Sequence, residues 1–235
     1  MSYRLLQKFE ALFEGKAYLH RASNLGDSVA MELYEDLYAL GRSKTFMARV
    51  QAGTSVLNTQ NRRQGVKARR GDGSFGEIVP QVTPIADEGY AIKRAAIATI
   101  EIGVEVKILM KAMIKQIDRV GSDLRGQAAH FQGKSGTPIA VGVVGINHAA
   151  YCTSYEGDRT FRTDGRKYKH PVAEAKDAED RLVRDASPAF DEFLVLRFRA
   201  VNEAPFDFEW VNEKQTALDY GAILARISQK YEKLF

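Results

Sequence analysis

Residues 100–108 alternate without a break. Ile100, Ile102, Val104, Val106 and Ile108 fall on one side, and Glu101, Gly103, Glu105 and Lys107 on the other. Period two with β-branched residues on the apolar side is the pattern of a strand whose two faces differ. The next segment, 110–124, changes period: Met110, Met113, Ile114, Ile117 and Leu124 form an apolar stripe at helical spacing. Gly126 to Pro138 reads as a loop. Residues 139–146 (IAVGVVGI) are a near-continuous apolar run, as expected of a central strand buried on both faces. Strand, helix and buried strand in that order predict a parallel crossover. The fold class expected is therefore α/β (α+β), with a central mixed sheet flanked by helices.

The flanking regions fit one such domain over residues 1–235. The first 50 residues read as helical. Leu5, Phe9, Leu12 and Phe13 make one stripe that Gly15 ends; Val29, Leu33, Leu37 and Leu40 make a second, between an Asp27-Ser28 cap and a stop at Gly41. Residues 69–74 read as a loop or turn, and 76–82 as a short strand confined to an edge by Pro80. After the core at 75–150, residues 151–235 read as a decoration: a helix at 172–184, strands at 193–200 and 206–211, and a helix opening at Thr216. No repeat, low-complexity tract or composition break divides the chain.

Composition removes several classes. Hydrophobic residues at 45% and charged residues at 27% supply enough apolar side chain for a core, so a wholly disordered chain is excluded. No window approaches ~18 uninterrupted apolar residues, so no membrane helix is expected. The start of the chain carries Arg4, Lys8 and Glu10 where a secretory signal needs an apolar stretch. A single cysteine, Cys152, excludes an internal disulfide framework and a cysteine-based zinc site. The expected home is a reducing cytoplasm.

The net charge is only +4, but it is concentrated in two runs. Residues 61–70 hold Arg62, Arg63, Lys67, Arg69 and Arg70 with no acid. Residues 159–170 hold Arg159, Arg162, Arg166, Lys167 and Lys169 against Asp164 alone. Both suit an anionic partner. In the second run the cations interleave with Tyr151, Tyr155, Phe161 and Tyr168, a mixture suited to phosphate contact and base stacking. Asp164-Gly165 is a hairpin-turn dipeptide, so this stretch is expected to be a basic β-ribbon or loop.

Glu105 and Lys107 project from one face of the predicted strand, roughly 6–7 Å apart. The carboxylate is a ligand for a hard divalent cation, and an ammonium beside it can position a water or stabilise charge. A second acid is still needed. Glu105-Val106-Lys107 on an apolar strand, followed by an amphipathic helix and a buried strand, resembles the PD-(D/E)xK nuclease superfamily, which includes the type II restriction endonucleases. The resemblance covers about residues 75–150. It implies a Mg²⁺-dependent endonuclease acting on double-stranded DNA, and a homodimer. It also implies an upstream acid that shares the metal with Glu105. Two residues offer themselves: Asp87, 18 positions before Glu105 but preceded by Ala86 rather than proline, and Glu77, 28 positions before. Glu101, about 13 Å along the strand from Glu105, reads as a neighbouring or DNA-side group.

Other candidates are weaker. His148 follows the buried strand at the end where α/β sheets place sites, so a small-molecule enzyme is one rival reading. Cys152 has no histidine near it in sequence. Gly133-Lys134-Ser135-Gly136 lacks the full spacing of a phosphate-binding loop. A second rival is a non-catalytic nucleic-acid-binding or assembly protein on the same fold.

Overall fold

In the computed structural model of the chain, residues 3–19, 25–58, 71–111, 113–133, 137–156, 158–165 and 171–235 are described. The organising element is a seven-stranded mixed sheet. Its strands are β1 (Ser55–Asn58), β2 (Gly73–Glu77), β3 (Arg94–Ala95), β4 (Ile102–Leu109), β5 (Ile139–Asn147), β8 (Glu192–Arg199) and β9 (Glu209–Trp210). Their order is β3-β1-β2-β4-β5-β8-β9. Strands β4, β5 and β8 run parallel, while β1, β2 and β4 alternate antiparallel and β9 returns antiparallel along β8. A separate two-stranded ribbon, β6 (Cys152–Glu156) with β7 (Arg159–Thr163), follows β5.

Helices cover both faces. Against one lie α1 (Arg4–Glu10), α2 (Leu25–Leu40), α3 (Lys44–Ala52) and α6 (Glu213–Leu234), whose Phe9, Leu33, Phe46 and Leu224 share a core with Val104, Val141 and Leu196. Against the other lie α4 (Met113–Gln132) and α5 (Pro171–Asp185), whose Ile117, Leu124 and Leu182 pack on Val144 and Ile146. Each parallel crossover therefore carries its own helix, α4 from β4 to β5 and α5 on the way to β8. Caps set several of the ends. Ser43 accepts from the Phe46 amide at 3.1 Å, Asn212 accepts from the Gln215 amide at 3.0 Å, and Gly41 and Gly53 close α2 and α3 with φ of +65° and +67°. Among the described residues, no helix is long and apolar enough to cross a membrane.

The strand-helix-strand reading of 100–146 stands, including a β5 buried at every position. Its details shift. Helix α4 continues through the expected loop to Gln132, because Leu124, Ala128 and Phe131 prolong the buried stripe across Gly126. The face of β4 bearing Glu105 and Lys107 is not open, and Glu101, expected on that face, precedes β4 and turns to the α3–α6 side instead. A Cβ on Gly103 would sit 2.5 Å from the Phe131 ring, so the last turn of α4 lies directly on it. Strand β2 begins three residues earlier than expected. Residues 73–77 are poor in β-formers but glycine-rich, and the close packing needs that: a Cβ on Gly76 would meet the Thr99 carbonyl at 2.0 Å. The expected strand at 206–211 is only Glu209–Trp210, and α6 starts three residues before Thr216. The ribbon exists, but its first strand ends at Glu156 and its second begins at Arg159, ahead of the expected turn. Asp164-Gly165 follows β7, where Gly165 has φ +79°.

Candidate active site

The β2–β4 ladder places Gly73 opposite Val104. One step further along an antiparallel pair puts Asp72 opposite Glu105, on neighbouring strands. At that point β2 leaves the ladder, and the Asp72 side chain takes over its last bond: Oδ2 accepts from the Val106 amide at 2.7 Å. The first turn of α2 packs against this carboxylate so closely that a Cβ on Gly26 would lie 2.6 Å from Asp72 Cγ. Asp72 is thus held by a main-chain hydrogen bond from β4 and walled by a helix.

Glu105 is 6% exposed. Lys107, two residues along the same face, donates its Nζ to Glu105 Oε1 at 2.5 Å. Burial pushes the Glu105 carboxyl up to about 7, the neighbouring Asp72 carboxylate adds to that, and the Lys107 ammonium opposes it. Burial alone would lower the Lys107 ammonium. The negative charges of Glu105, Asp72 and Asp123 outweigh it and hold Lys107 above its ordinary value. The cluster is therefore two acids and one base crowded into a mostly buried space, with Glu105 short of positive charge.

That arrangement is chemically suited to a hard cation. Two neighbouring carboxylates are oxygen donors, and magnesium is commonly held by one or two carboxylates with water and substrate phosphate completing its shell. A divalent charge beside Glu105 would offset both its burial and its repulsion from Asp72. Among the described residues, no group of three His, Cys, Asp or Glu could hold a metal.

The acids expected upstream lie elsewhere. Asp87 is locked in a bidentate pair with Arg94, Nη2 to Oδ1 at 2.5 Å. Arg94 belongs to β3, three strand spacings, about 14 Å, from β4. Glu77 ends β2 opposite Ser55, five residues from Asp72, or about 17 Å along the strand. It accepts from Thr99 Oγ1 at 3.2 Å and lies 3.9 Å from Arg49 Nη1. Neither reaches Glu105. Glu101 is 1% exposed rather than DNA-facing: it accepts from Arg49 at 2.5 Å, from Ser55 at 2.8 Å and from the Tyr231 hydroxyl. Asp72 went unnoticed because it lies 33 positions before Glu105, in a Gly-Asp-Gly stretch that reads as a turn. Its signal was the apolar Phe75 and the small residues beside it, which mark a strand start once pairing with β4 is known.

The basic segments divide. Arg62, Arg63, Lys67, Arg69 and Arg70, and likewise Arg166, Lys167 and Lys169, lie outside the described residues. On the ribbon, Arg159 is exposed and the Arg162 guanidinium stacks on Tyr151 at 3.6 Å. The Lys111 ammonium, from the end of β4, sits 3.5 Å over the ring of Phe161.

The remaining candidates belong to the framework. The ring of His148 lies 3.6 Å from Glu179. Glu179 is pulled down to about 2 by His148 and by Arg197, which it accepts through both oxygens. Burial pushes the Cys152 thiol up to about 12, away from the thiolate form that a nucleophile needs. Ser135 lies outside the described residues. Comparisons with family models, with curated proteins and with solved structures find no match to this chain.

Proposed function

We propose that this chain is a Mg²⁺-dependent DNA endonuclease of the restriction-enzyme type, working as a homodimer on double-stranded DNA in the cytoplasm. In it Asp72 takes the part that the sequence offered to Asp87 or Glu77. The observation that carries the reading is the meeting of Asp72, Glu105 and Lys107 on two paired strands, with Glu105 buried and electrostatically unsatisfied. Asp72 and Glu105 would hold the cation, which supplies water activation and charge neutralisation at a phosphodiester. Asp72 is fixed for this by the Val106 amide. Lys107 holds Glu105 in place and keeps its proton, so its ammonium is available to orient a water and to stabilise negative charge on the phosphate. The ribbon cations Arg159 and Arg162 would grip the backbone.

The test is supercoiled plasmid with Mg²⁺ or with EDTA. Cutting is expected only with Mg²⁺. Asp72→Asn and Lys107→Ala should lower it by at least about 100-fold while DNA affinity persists. Asp87→Asn and Glu77→Gln should cut normally. Full activity in Asp72→Asn would remove this site from the reaction.

One observation favours the second reading, binding without hydrolysis: Lys107 already donates to Glu105, which offsets part of its charge without any ion. That reading gives salt-sensitive DNA binding, weakened by Arg159→Ala with Arg162→Ala, and no metal-dependent cutting.

A further inference from the structure

One face of α2 lies along the start of β2. Gly26, Ala30 and Tyr34 follow one another at four-residue spacing, so they share a side of the helix. Each sits against Asp72 or Gly73. A Cβ on Gly26 would lie 2.6 Å from Asp72 Cγ, 2.7 Å from its Oδ1 and 2.9 Å from its Oδ2. A Cβ on Gly73 would lie 2.9 Å from the Cβ of Ala30 and 3.3 Å from the Tyr34 ring. The Tyr34 hydroxyl reaches the Gly73 carbonyl at 3.1 Å and the Ile102 carbonyl at 3.2 Å, so its one proton is shared between β2 and β4.

Backbone conformation does not explain Gly26. It stands inside a helix with no positive φ, where alanine is the better helix former. Gly126 in α4 is the contrast, since a Cβ there would meet nothing within 4 Å. At residue 26 the absent side chain is the space that the Asp72 carboxylate occupies. That carboxylate is already 2.7 Å from the Val106 amide, so it has no slack toward β4. A methyl group on residue 26 has to turn it off that amide, because the end of a side chain yields more readily than two packed main chains.

We propose that this face of α2 is the positioning element of the acidic cluster: Gly26 leaves the room in which the Asp72 carboxylate stands beside Glu105, and Tyr34 fixes the main chain that carries it. Its consequence for cutting rests on the hydrolytic reading, while the placement of Asp72 does not.

Two small substitutions in the full chain test it, read first without metal or DNA. In Gly26→Ala the Val106 amide should exchange about tenfold faster than in wild type, because it loses its acceptor. Tyr34→Phe keeps the ring and removes only the hydroxyl, and should speed the same amide by a smaller factor. The amides of β5 should keep their wild-type rates in both variants, which separates a local loss from a loss of global stability. Added to Asp72→Ala, Gly26→Ala should bring no further change at Val106, since it acts through a carboxylate already removed. Gly126→Ala should leave Val106 as it is. With Mg²⁺ and supercoiled plasmid, Gly26→Ala and Tyr34→Phe should lower kcat by about 10–100-fold with KM little changed, as misplacement of a reacting group does. A Val106 amide that exchanges at the wild-type rate in both variants overturns the proposal, and so does a speeding that persists in full on the Asp72→Ala background. If wild type itself leaves plasmid uncut, the hydrolytic reading fails, and the amide rates still decide whether α2 places Asp72.

Discussion

At Glu105 the fold makes one carboxyl costly to ionise. Its ordinary value is 4.5, and the folded chain pushes it up to about 7, first by burial and then by the charge of Asp72. Between those two values the folded state keeps a proton that the unfolded state has lost. The stability it contributes is therefore complete below pH 4.5 and is lost as pH rises through about 7. Wild type should lose about 1–3 kcal/mol relative to Glu105→Gln between pH 5 and pH 8, measured by urea unfolding at both values. A difference that stays flat with pH would place the proton on another group. Because a cation and a proton compete for the same oxygens, Mg²⁺ should raise the melting temperature more at pH 8 than at pH 6. The same residue separates what local pattern shows from what it hides. That Glu105 and Lys107 share a face follows from period two alone. That the face is covered by Phe131 depends on α4 running past two glycines to Gln132; the stripe of Leu124, Ala128 and Phe131 carries the helix there, but where its last turn docks is a tertiary matter.

Among the elements, α3, β1 and α6 meet on Glu101. Arg49 comes from α3, Ser55 opens β1 and Tyr231 is in the last turns of α6, and all three donate to its carboxylate. A buried acid with three donors is stable only as a set, since removing it leaves several groups without their acceptor. Glu101→Ala should destabilise the chain by about 2–3 kcal/mol, short of the full cost of a broken buried pair because Arg49 still reaches water. The check is a denaturant midpoint, with Glu101→Gln retaining part of the loss. From the sequence Glu101 looked like another member of the charged face of β4. Its actual role as an anchor came from elements 46 to 130 residues away along the chain. The ribbon tells the opposite story at this scale. A basic two-stranded element was readable from interleaved cations and aromatics, and only the place of its turn was misjudged.

For the whole molecule, the C-terminal helix is part of the core and not an appendage. Tyr220, Ile223, Leu224, Ile227 and Tyr231 are each at most 4% exposed and pack with α2 and the parallel strands. Tyr220 also donates to Asp36 at 2.9 Å, and Asp36 accepts the Arg4 and Leu5 amides that open α1. Three helices from opposite ends of the chain thus depend on one another. A chain ended after Val211 should show no cooperative unfolding transition by circular dichroism. A sharp melt for it would show that the sheet and α1–α5 fold alone.

Periodicity and apolar runs by themselves determined the class of this fold. The alternation at 100–108, the stripe after it and the unbroken run at 139–146 each report burial along a single segment, and burial leaves its mark in local spacing. Which acid lies beside Glu105 was decided only in three dimensions. Asp72 meets Glu105 through the register of a short antiparallel pair, Gly73 against Val104, formed between segments that sequence holds about thirty residues apart. Hydrogen-bond register and the helix that walls it are non-local. Nothing in the spacing of acids along the chain encodes them, so Asp87 and Glu77 could look better placed than Asp72, the acid that lies beside Glu105.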